Sequence, residues 1–197
     1  MSPIAHFVSS WLVATVVATN ARDRRLVTLA GVLPDADGLG MVVDVVKHLV
    51  TGEELSFHYY QHFHHLWLHG WPGALLVAGA LAAGANQPWR VAIGCLITFH
   101  LHLLCDLLGS RGPTPADLWP ICYGEPLFRH PVWFWKGQWR LDGWQNAAIF
   151  MVMFAFALGW TAKRGYSFAE IFGARADAAF TGVLRKWSQA LFQRKPG

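Results

Sequence analysis

Between Val91 and Leu108 the chain runs almost without polar side chains, yet inside that run it places His100, His102 and Asp106. Such a run is long and apolar enough for one unbroken helix in a core or a bilayer. A carboxylate inside it needs a partner, because burying an unpaired charge costs several kcal/mol. His102 and Asp106 stand four residues apart and project from one helical face. Either a hydrogen bond between them or a shared metal ion would meet the requirement. His100, two positions from His102, faces elsewhere and reads as a satisfied or supporting histidine.

The rest of the chain fits the same surroundings. Hydrophobic residues make up 54% and charged residues 14%, well below the ~25% charged of ordinary soluble domains. Eleven tryptophans and thirteen phenylalanines are the aromatic load typical of membrane interfaces. The net charge of +4 is too small and too dispersed to argue for nucleic acid, and no such partner is expected. Cys95, Cys105 and Cys122 show neither a disulfide framework nor a CxxC metal spacing. The N-terminal apolar run lacks a basic leader and reads as a retained helix.

In chain order, residues 4–19 form an apolar helix, slightly short for a full crossing, and Arg22-Asp23-Arg24-Arg25 follows as a charged turn. A second apolar run ends at Pro34. Asp35 and Asp37 then sit in a turn, where an extended backbone would point both carboxylates to one side. Residues 41–60 are mixed, and His62 to His69 holds four of the ten histidines. Apolar helices follow at Gly73–Ala85 and Val91–Leu108, then a Gly-, Pro- and Trp-rich irregular or interfacial segment over 109–143. Trp144 to Trp160 is the clearest membrane span, bracketed by tryptophans and followed by Lys163-Arg164. From Ser167 the tail reads as a basic amphipathic helix, with Phe168, Ile171, Phe172, Leu184, Trp187, Leu191 and Phe192 among Arg175, Arg185, Lys186 and Arg194, suited to a membrane surface or a partner. The expected fold is therefore all-α: a membrane-embedded bundle of about four to five apolar helices over 1–166, with a C-terminal amphipathic helix over 167–197. If the segments alternate in direction, eleven basic and three acidic residues gather at one end, and five basic and nine acidic at the other. By the positive-inside rule, the second, histidine-bearing end faces away from the cytoplasm.

That end collects His6, Asp35, Asp37, His64, His69, His102 and Asp106. A cysteine-free set of imidazoles and carboxylates favours metal-activated water over a closed structural site. At this point the ordered marks resemble a known family, the membrane-bound metal-dependent hydrolases of the LexA-binding, inner-membrane-associated type. The marks are the early His6, Leu33-Pro34-Asp35-Ala36-Asp37, the block His64-His65-Leu66-Trp67-Leu68-His69-Gly70, then His102 to Asp106, then Trp119-Pro120. They cover residues 1 to about 120. The resemblance implies a bacterial inner-membrane location and a distant similarity to zinc-dependent phospholipase C. It also implies one to three divalent ions, zinc above all, with manganese or magnesium as alternatives. The seven residues would be the ligands, with Asp35 or Asp37 as possible general base. The substrate would be a phosphoester, small or lipid, and membrane lipid the surrounding partner; the oligomeric state stays open.

The family pattern selects His64 with His69, whereas a continuous helix would pair His65 with His69; His62 and His65 then become supporting candidates. The family's Arg, Thr and Ser in the block are His65, Leu68 and Gly70 here, and its Thr three residues after the aspartate is Gly109. The altered positions are polar groups suited to orienting substrate. A different functional class, a non-enzymatic metal- or haem-binding membrane protein, would use His100 or His102 as an axial ligand. A membrane scaffold is the third reading.

Overall fold

The computed structural model describes residues 1–64 and 67–192, without the side chains of Gln61, Leu191 and Phe192. The fold is helical, with α1 Pro3–Val17, α2 Ala21–Ala30, α3 Gly40–Thr51, α4 His58–Phe63, α5 Trp71–Ala83, α6 Pro88–Gly109, α7 Trp144–Arg164 and α8 Ala174–Phe192. Two short 3-10 helices lie at Leu33–Leu39 and Phe168–Phe172, and a two-residue antiparallel pair joins β1 Ile121–Cys122 to β2 Val132–Trp133. The chain divides into two units, Met1–Asn146 and Ala147–Gly197.

In the first unit, α1, α2, α5 and α6 pack around small side chains, among them Ala14, Ala30, Ala74 and Ala78. Gly94 on α6 meets Val17 and Val27 so closely that an added Cβ would stand 2.8 Å from a methyl of each. Close helix approach over small residues is how helices associate where lipid removes the usual hydrophobic drive. Thr98 on α6 donates to the Val27 carbonyl at 3.1 Å, a hydrogen bond between helices in the same layer.

Proline in the first turn opens α1, α5 and α6, where its missing N–H is no loss. The charged segment after Asn20 is not a turn, as the sequence suggests, but the first part of α2. Asn20 caps that helix by accepting from the Asp23 N–H at 3.0 Å. Asp23 is fully buried and accepts from the backbone N–H groups of Asn86 and Gln87, at 2.8 and 3.0 Å. This ties the start of α2 to the start of α6 and makes the arginine-bearing end of the bundle. The histidines and aspartates gather at the other end.

Among the described residues two helices, α6 and α7, are long and apolar enough to cross a membrane. α1 and α5, of 15 and 13 residues, are shorter than a crossing, and α2 meets the segment Leu33–Thr51 at a 50° break. In the second unit the tail is not one continuous helix. Ser167 caps the 3-10 helix, Gly173 breaks the chain at φ 112°, and α8 starts after it. Asp177 on α8 accepts from the Ser167 N–H and hydroxyl at 2.6 and 2.7 Å, locking that corner. Arg194 lies outside the described residues.

Candidate metal centre

Four elements deliver the chemistry. His6 comes from the first turns of α1, Asp35 and Asp37 from the 3-10 helix after α2, His64 and His69 from either end of the α4–α5 connection, and His102 with Asp106 from the last turns of α6. Ligand-capable atoms of His6, Asp35, His102 and Asp106 all lie within 4.8 Å of one another, and those of Asp37, His64 and His69 form a second such group. His69 Nε2 stands 3.8 Å from Asp106 Oδ2, so the two groups adjoin.

The Asp-x-Asp turn differs from the extended form expected from sequence. It is a 3-10 helix, with three residues per turn, so positions two apart diverge. Asp35 Oδ1 points to His102 Nε2 at 3.7 Å. Asp37 instead holds both histidines of the other group, His64 Nδ1 on Oδ1 at 2.9 Å and His69 Nδ1 on Oδ2 at 3.0 Å. One dipeptide step thus serves two groups.

His102 is oriented by the backbone. Its Nδ1 lies 2.9 Å from the Gly31 carbonyl, which can only accept, so Nδ1 carries a proton and Nε2 is the atom left to face the carboxylates. Nε2 is 3.1 Å from Asp106 Oδ2, and the His102 ring stacks on His6 with centroids 3.7 Å apart. Asp106 Oδ1 contacts His6 Nε2 at 3.1 Å, accepts from the Ser110 hydroxyl at 2.9 Å, and also takes the Met1 amine. Of the buried atoms here, His6 Nδ1 and Asp35 Oδ2 have no hydrogen-bond partner among the described residues. Buried polar atoms are rarely left so without a function or a bound ion.

Burial, against the opposing pull of Asp37, holds the His69 imidazole below its ordinary pKa. Burial, and after it the carboxylates Asp35, Asp106 and Asp37, pushes Tyr60 on α4 up to about 12. The tyrosine ring lies 4.6 Å from that of His64, centroid to centroid.

The supporting residues escape sequence reasoning. Asp44 on α3 is buried and accepts from the N–H groups of Tyr59 and Tyr60 at 3.0 and 2.8 Å, capping α4 and so placing His64. Buried Gln138 donates to the Asp106 and Leu107 carbonyls, both at 3.0 Å, and accepts from the Trp119 N–H at 2.7 Å. It thereby fastens the Trp119-Pro120 step to the end of α6, with the Trp119 ring 5.6 Å from that of His64. His100 is partnered at both nitrogens, by the Leu96 carbonyl and the Tyr123 hydroxyl, each at 2.7 Å, and takes no part in either group. His62 is exposed and lies against His58, and His65 is outside the described residues.

Gly70 and Gly109, where the family pattern has Ser and Thr, are both close approaches. A Cβ on Gly70 would lie 2.6 Å from the Tyr123 carbonyl oxygen, and one on Gly109 2.5 Å from Asn146 Oδ1 and from Trp139 Nε1. The segment after α6 fills the space those side chains would need.

Helices long and apolar enough to cross a membrane, one of them carrying part of a buried histidine–aspartate cluster, define an integral helical membrane protein with a site that could hold metal. The chain belongs to the YdjM inner membrane protein family, which matches residues 1–171. It is accordingly a protein of the inner membrane. No curated protein and no solved structure matches it.

Proposed function

We propose that this inner-membrane protein is a metal-dependent hydrolase of phosphoester bonds, acting on small or lipid phosphoesters. The observation carrying the reading is the convergence of seven imidazole and carboxylate side chains from four chain segments, with Asp35 Oδ2 buried and lacking a hydrogen-bond partner among the described residues. The donor set of nitrogen and oxygen without thiolate suits zinc or manganese. His6, Asp35, His102 and Asp106 would hold one divalent ion, and Asp37, His64 and His69 a second. Bound there, such an ion supplies the Lewis acidity that phosphoester hydrolysis needs.

The chain's own groups divide the remaining work. The Gly31 carbonyl and Asp37 orient His102 and His69, the outer contacts that fix a ligating imidazole. Asp35 suits the general base better than Asp37, because both Asp37 oxygens already hold histidines while Asp35 Oδ2 has none. Trp119 and Tyr60 border His64, their ring centroids 5.6 and 4.6 Å from its own.

The haem alternative fits less well. His100 spends both nitrogens on protein partners. His102 Nε2 has Asp106 at 3.1 Å and Asp35 at 3.7 Å in front of it and His6 stacked on its face, which leaves no width for a porphyrin.

Elemental mass spectrometry on detergent-purified protein tests the reading, beside His102→Ala and Asp106→Ala. Stoichiometric zinc or manganese, lost in both variants, is expected, together with metal-dependent hydrolysis of phosphodiesters or phospholipids. Unchanged metal content in both folded variants would remove the site assignment.

A further inference from the structure

The segment after α6 leaves and returns at one point. Asn146 donates to the Gly109 carbonyl at 2.8 Å, the Trp139 N–H to Leu108 at 3.0 Å, and the Arg111 N–H to Trp139 at 3.1 Å. These bonds close residues 110–143 into an excursion rooted at the end of a membrane-spanning helix. Its inner part is tied to the metal centre through Gln138 and Trp119. Its outer part carries Leu127, Phe128, Val132, Trp133, Phe134 and Trp135, 39 to 61% exposed. This outer part is held in shape: β1 pairs with β2, and Tyr123 stacks on Trp133 at 4.4 Å. Arg129 and Lys136, both exposed, stand within and beside the apolar run.

We propose that residues 127–135 are an interfacial anchor that dips into the leaflet on the site's side of the membrane, so that the metal centre takes phospholipid headgroups from the bilayer. The occupant of the apolar surface is the lipid, because the root of the excursion is the end of a span and sets its height at the headgroup layer. Tryptophan and phenylalanine beside arginine and lysine are the side chains that layer favours, rings toward the acyl boundary and cations toward anionic headgroups. Tethering at the membrane makes insertion an intramolecular event at high effective concentration. The position of the anchor stands by itself; the headgroup as substrate rests on the hydrolase reading.

Two measurements test it. Phe128→Cys, Phe134→Cys and the reference Thr114→Cys are labelled with a fluorophore in the Cys95→Ala/Cys105→Ala/Cys122→Ala background. Each is reconstituted into phosphatidylethanolamine–phosphatidylglycerol vesicles. Bromine on the acyl chains should quench labels at 128 and 134 several-fold more than at 114, and aqueous iodide should do the reverse. Iodide quenching at all three positions, or shielding of 128 and 134 from both quenchers by another protein surface, overturns the anchor.

The second measurement needs no label. Leu127→Ser/Phe128→Ser/Phe134→Ser should lower turnover of vesicle phospholipid at least tenfold, while metal content and hydrolysis of soluble bis(p-nitrophenyl) phosphate stay unchanged. Equal turnover of vesicle lipid by variant and parent overturns headgroup delivery. A metal-loaded parent that hydrolyses neither substrate overturns the hydrolase reading, and the quenching then decides the anchor alone.

Discussion

Gly31→Ala is the sharpest test of how the bundle aims its site. Gly31 has φ −88°, a backbone any residue adopts, so the substitution probes packing and not conformation. The added Cβ would lie 1.8 Å from Ser10 Oγ, 2.7 Å from Ser10 Cβ and 3.2 Å from Thr98 Cβ. Turning the serine hydroxyl away relieves the first contact but not the second, which needs a separation of about 0.7–1 Å to reach ordinary carbon–carbon distance. The overpacking costs about 1–3 kcal/mol. A shift of that size at the Gly31 carbonyl carries the 2.9 Å bond to His102 Nδ1 past the hydrogen-bonding limit. The imidazole loses its fixed tautomer, and metal affinity should fall about 10–100-fold, read by chelator competition alongside thermal unfolding in detergent. Adding Ser10→Gly removes both clashing atoms at a cost of about 1 kcal/mol for glycine within α1. The double variant should recover affinity yet melt slightly below the parent. Wild-type affinity in a destabilised Gly31→Ala protein, or failure of Ser10→Gly to restore affinity, would refute the coupling between this packing and His102.

Asp23→Ala strands the N–H groups of Asn86 and Gln87 at the end of the bundle far from the histidine–aspartate cluster. It should lower stability by about 2–4 kcal/mol in chemical denaturation with metal content unchanged. Asp44→Ala removes the cap of α4, worth about 1 kcal/mol. Its larger effect should be on the Asp37, His64 and His69 group, so bound metal measured by mass spectrometry should drop while the His6, Asp35, His102 and Asp106 group stays loaded. Gly109→Thr should cost about 1–3 kcal/mol by breaking the 2.7 Å bond from Trp139 to Asn146, with faster proteolysis of residues 110–143 as the readout.

Of the seven clustered residues, His102 and Asp106 were legible for a physical reason, and His64 with His69 only through the family resemblance. In a chain so apolar, a histidine or aspartate inside a helical run is an exception that demands a partner, and Asp106 with His102 announces itself by spacing alone. What holds those residues was not legible, because it is built from contacts distant in sequence. Gly31 serves His102 from 71 residues away through a backbone carbonyl, which no side-chain pattern records. Asp44 reads as an ordinary charge on a surface helix until α4 is folded against it. The Asp35–Asp37 step was misread for the opposite reason, as a local pattern with two backbone solutions: an extended strand aligns the carboxylates, while the 3-10 turn that forms splits them between two groups. The charged turn at residues 22–25 failed likewise, since Asn20 and Asp23 make a helix start out of polar sequence.

Gly70 and Gly109 join these two kinds of information. By sequence they are departures from the family pattern, two lost hydroxyls at the edge of the cluster. In the fold they are two places where the chain after α6 presses in, with the Tyr123 and Glu125 carbonyls beside Gly70 and the Trp139 indole and the Asn146 amide of α7 beside Gly109. The excursion also reaches the cluster through Gln138 and Trp119. The expected departure from the family is therefore in what approaches the cluster and not in the cluster itself, whose seven histidines and aspartates converge in two groups.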